Sequence, residues 1–151
     1  MKLNTKSLAD IELGQPLIAP GTYFFRIEKA EVSPNKARTG NNLVLELRLL
    51  DEKVMDWEGV KEIENRGLKY TRYTSLTITD TYDEDAMNRS LKEIAVAIGL
   101  PDDADLNVED IPGKCVKAQV RYREPEGTFS ARNEIGKLYP IRPEDNFNEP
   151  A

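Results

Sequence analysis

The sequence predicts a mainly β domain: five strands closed into a Greek-key barrel, with one helix between strands 3 and 4. Three observations predict it. Five stretches alternate apolar and polar residues at period two, the mark of half-buried strands. One stretch repeats its apolar residues at helical spacing instead, and it falls between the third and fourth strands. Closure then removes the unpaired edges that an open sheet would expose.

Residues 1–19 show no clear period and read as an N-terminal arm, with a short helical piece at Ser7–Leu13. The domain proper spans 20–141. After Pro20-Gly21 the first strand runs over 21–32, with Tyr23, Phe25 and Ile27 on one face and Phe24, Arg26 and Glu28 on the other. "SPNKARTGNN", 33–42, is a turn by its Pro, Gly and Asn content. In the second strand, 43–50, Leu43, Leu45, Leu47 and Leu49 face the core. The charged stretch 51–66 reads as a long connection holding a ragged hairpin or helical turn. The third strand, 67–79, is dense in β-branched and aromatic residues.

Thr81 and Glu84 have capping-box spacing. Met87, Leu91, Ile94 and Ile98 then form one face of a helix over 82–98, which Gly99 and Pro101 end. An acidic loop, 100–112, leads to the fourth strand, 113–124. There Val116, Ala118, Val120 and Tyr122 alternate with Lys117, Gln119, Arg121 and Arg123. The last strand spans 128–139. Residues 142–151, with two prolines and three acids, read as a flexible acidic tail that does not pack. This element order matches the OB-fold; an α+β sandwich of the same order is the alternative.

Composition narrows the chemistry. The chain has no histidine and one cysteine, Cys115. The usual zinc sites, His-dependent triads and an internal disulfide are therefore excluded. No apolar run approaches the ~18 residues of a membrane span, and the first residues lack the apolar core of a signal peptide. A Mg²⁺-dependent nuclease built on acids such as Glu46 and Asp51 has no motif to fix its geometry. The expectation is a non-enzymatic binding protein with no cofactor and no membrane partner.

Charge is unevenly placed along the chain. Its net charge is −6, yet residues 66–79 hold Arg66, Lys69 and Arg72 against no acid. Residues 114–123 hold Lys114, Lys117, Arg121 and Arg123, again against none, while 80–110 hold ten acids and two bases. Tyr70, Tyr73, Tyr122 and Phe129 lie among those cations. Cations that track phosphates and rings that accept stacked bases are what single-stranded nucleic acid requires. Alternation puts Tyr73 with Lys69 on an outward face, and Tyr70 and Arg72 on the leucine face. Phe24, Arg26, Lys69, Arg72, Tyr73, Lys117, Arg121, Arg123 and Arg132 are the candidate nucleic-acid contacts, Arg72 requiring a bulge to reach them. The tail reads either as disorder without a role or, through Glu144, Asp145, Phe147 and Glu149, as a docking peptide for partner proteins or a competitor for the basic face.

"PGTYFFRIEKAEV", "KARTGNNLVLELRLLD", "IAVAIGLP", "IPGKCVKAQVRYRE" and "RNEIGKLYPI" together resemble a family of small bacteriophage single-stranded DNA-binding proteins of OB-fold type. The resemblance covers about residues 20–141. It implies single-stranded DNA as ligand, and a role in phage replication, recombination or repair in the host cell cytoplasm. It also implies an acidic, Phe-bearing tail that recruits phage or host replication and recombination proteins. Here Pro-Ala follows Glu149 and the Phe is not terminal, so that likeness is partial. A homo-oligomer is compatible with all of this. The competing expectation is a virion structural or adaptor β-barrel protein without nucleic-acid affinity.

Overall fold

Leu43, Leu45, Leu47 and Leu49 all point inward from β2 (Asn41–Leu49), each at most 2% exposed. The alternating leucines thus place one face of the sheet on the core, as their spacing predicts. The computed structural model describes residues 1–5, 15–128 and 130–150. The helical piece expected at Ser7–Leu13 and the ring of Phe129 lie outside the described residues.

β1 (Gly21–Pro34) is the central strand, paired antiparallel with β2 on one side and with β6 (Cys115–Arg123) on the other. β5 (Lys69–Ser75) adds outside β2, and β7 (Arg132–Tyr139) outside β6. The five-stranded order is β5-β2-β1-β6-β7. A bulge between Ile27 and Lys29 shifts the alternation of β1 by one residue. Phe25 and Ile27 face the core before it, and Ala30 packs against the core after it.

Two features differ from the expectation. The helix α1 (Glu84–Ala97) follows the fifth strand, not the third, because 51–66 contributes a separate hairpin of β3 (Lys53–Met55) and β4 (Glu62–Glu64). Its N-cap is Asp83, whose carboxylate accepts from the Ala86 N–H at 2.8 Å, rather than Thr81. Second, the sheet is not closed into a barrel: its edges, β5 and β7, share no ladder.

Glu93 bridges the two unpaired edges. Its Oε1 accepts from the Leu138 N–H of β7 at 2.7 Å, and its Oε2 from the Arg72 guanidinium of β5 at 3.0 Å. A helix carboxylate therefore joins the two edges in place of backbone pairing. The edges are covered without being sealed.

Candidate nucleic-acid interface

Strand alternation sorts the candidates. Lys69, Thr71 and Tyr73 point outward from β5, while Tyr70 and Thr74 are buried. Tyr70 meets Phe25 edge to face at 5.9 Å. Burial, reinforced by Tyr23, pushes its hydroxyl up to about 12. Arg72 faces inward, its side chain only 13% exposed against Glu93. It fastens α1 to β5, and with Glu93 it lines the groove between β5 and β7 rather than the outward face of β5. On β6, Lys117, Arg121 and Arg123 point outward; Phe24 stands opposite Lys117 in the β1–β6 register, and Arg26 opposite Cys115.

One groove gathers several candidates. Tyr73, Arg121, Arg132 and Lys137 line a volume of about 700 Å³ between β5 and β7, with Thr71 and Gly136. Tyr73 is 66% exposed there. Gly136 makes room for Arg121: a Cβ would stand 2.8 Å from its Nε and 2.7 Å from Gln119 Oε1. Lys137 lies 5.6 Å from the Tyr139 ring centroid. It is absent from the sequence-based candidates, although it is the cation two residues before Tyr139 in the last strand. Glu134 also lines the groove, accepting from Arg123 at 2.8 Å and Arg132 at 3.1 Å. Arg123 chiefly, and Arg132 after it, hold the Glu134 carboxyl below its usual range.

Acids enter the outward face from strands next to the acid-free ones. Lys69 sits 3.3 Å from both Glu46 of β2 and Glu28 of β1. Those two carboxylates, Glu46 first, raise the Lys69 ammonium above its ordinary value. The charge segregation seen along the chain is thus only partial across the surface. Cross-strand neighbours bring together residues about 20 to 40 positions apart in sequence, which a linear charge count cannot register.

The tail lies on this face rather than away from it. The Phe147 ring stacks on Phe24 with centroids 4.7 Å apart and planes 24° from parallel. Asp145 pairs with Lys117 at 3.0 Å, and Glu149 with Arg26 at 3.2 Å. Arg26 also donates to the Pro150 carbonyl at 2.9 Å. A 3₁₀ turn over Pro143–Asp145 starts the reversal, with Asp145 accepting from the Arg142 N–H at 2.7 Å. The expectation of an unpacked end fails because the tail supplies a ring and two acids at the spacing of a ring and two cations. Glu144 remains exposed.

A family model described as "Protein of unknown function (DUF669)" matches residues 4–135. The chain belongs to that family. The matched DUF669 region takes in β1 through β6 and the first half of β7, with the cations of both outward strands; the tail over 143–150 lies beyond it. No curated protein matches the chain.

Chemically, the arrangement offers rings, guanidinium groups and ammonium groups on one outward surface. Among the described residues, no group of three or more His, Cys, Asp or Glu is placed to hold a metal ion. No helix among the described residues is long and apolar enough to cross a membrane.

Proposed function

We propose that this DUF669 member is a non-enzymatic single-stranded DNA-binding protein, and that its acidic tail occupies part of the binding face until DNA displaces it. One observation carries the reading. Tyr73 of β5, Arg121 of β6, and Arg132 and Lys137 of β7 line a single open groove. A base stacks on Tyr73 while the phosphates on either side meet the three cations. The strand then continues over β6 and β1 to Lys117, Phe24 and Arg26, where its base and phosphates replace Phe147, Asp145 and Glu149 like for like. The strand order, with β1 central and both edges turned toward one helix, supports reading the sheet as an opened relative of the OB barrel.

Two stacked bases at about 1–3 kcal/mol each, with about five phosphate contacts, give modest and salt-sensitive affinity. The displaced tail then presents Glu144, Asp145, Phe147 and Glu149 to replication or recombination proteins in the host cytoplasm. The test is titration of a labelled oligothymidine with wild type and with Lys117→Glu/Arg121→Glu. Loss of binding in the double variant supports the reading; unchanged affinity overturns it.

A further inference from the structure

The geometry points to a second docking site, at the end of the sheet remote from Lys69: an apolar slot that receives the N-terminal segment of a second copy of this chain. Val32, Leu76, Leu91, Leu106 and Val108 line the slot, which has a volume of about 180 Å³, and Leu43 and Ile111 form its buried floor. Val32 is 48% exposed at its mouth. Four residues adjacent in sequence to that lining are acidic and exposed, Glu31, Asp105, Glu109 and Asp110; the neighbouring cation Lys92 is paired with Asp102. None of the four carboxylates has a cationic partner among the described residues.

An apolar slot with an acidic rim fits a cationic segment carrying an aliphatic side chain. The chain supplies one. Residues 1–6 read MKLNTK, with two lysines and no acid. Met1 and Leu3 are 111% and 87% exposed, so a lone chain leaves both in water. Two copies that both carry −6 repel each other except where a basic segment of one meets an acidic end of the other. The slot and the segment are that pair, and reciprocal exchange gives a closed dimer. This inference concerns a different surface from the DNA groove and stands or falls without it.

Sedimentation of the full chain, without DNA, tests it. Wild type self-associates, and association weakens as salt rises. Val32→Glu blocks the slot and Leu3→Asp blocks the segment; each alone removes both docking contacts of the closed dimer and weakens association at least about tenfold. Mixing the two variants leaves one intact slot and one intact segment, and recovers a dimer with one docking contact. Circular dichroism checks that both variants fold, and Glu109→Lys/Asp110→Lys gives the same loss without touching the slot. A monomeric wild type, association indifferent to these substitutions, or a mixture that stays monomeric overturns the proposal.

Discussion

At the scale of the residue, Glu93 holds the two sheet edges together. Replacing it with Ala leaves the Arg72 guanidinium without its charge partner and the Leu138 N–H without an acceptor. The expected loss is about 2–3 kcal/mol, discounted from a fully buried pair because both side chains keep some exposure. Thermal unfolding should show a midpoint roughly 5–10 °C lower. Glu93→Gln keeps an oxygen for Leu138 and should fall between the two. Asp51 makes a second case. It accepts from the Phe24 N–H at 2.9 Å, but burial outweighs that bond and raises its carboxyl above the usual value. The ionised form is thus disfavoured by folding, and the associated stability is lost as pH rises through the raised value. Asp51→Asn keeps an acceptor without the charge, so its midpoint should exceed wild type at pH 7 and match it at pH 3. Asp51→Ala should cost about 1–2 kcal/mol by leaving the Phe24 N–H unpaired.

At the scale of the element, the tail is a strap whose hold depends on ionised Asp145. The Arg142 N–H chiefly, then Lys117, hold that carboxyl below its ordinary value. Its contribution is present above the ordinary carboxylate range and lost as pH falls through the depressed value. NMR signals of Phe24 and Phe147 should therefore move together toward free-ring positions below about pH 4. Lys117→Ala should loosen the strap at neutral pH as well. The strands were largely legible beforehand, because period-two leucines and the Lys69/Tyr73 alternation follow from local geometry. The outward face of β6 was legible for the same reason. What escaped the sequence was tertiary. Nothing local marks Glu93 as the bridge between β5 and β7, or Glu28 and Glu46 as partners of Lys69. The tail looked unable to pack because its apolar content is one ring; its partners Phe24, Lys117 and Arg26 come together only when β1 and β6 pair.

At the scale of the whole molecule, a net charge of −6 does not forbid an anionic ligand. The Debye length is about 8 Å at physiological salt, so carboxylates farther away are largely screened and the local sign governs. The strap adds Asp145 and Glu149 to the face, so on the proposed reading its displacement would make the local sign more positive. On the proposed reading, DNA and tail would compete for Phe24, Arg26 and Lys117, whereas the tail leaves Tyr73 and Arg121 uncovered. Removing residues 143–151 should tighten binding several-fold and leave the fold intact. The most direct measurement is anisotropy of a labelled oligothymidine with the full chain and with the chain ending at 142, at two salt concentrations. The account predicts binding by both, tighter without the tail, weakening on the order of 100-fold for a fourfold rise in salt. No binding by either chain, or binding by both that ignores salt, would contradict it.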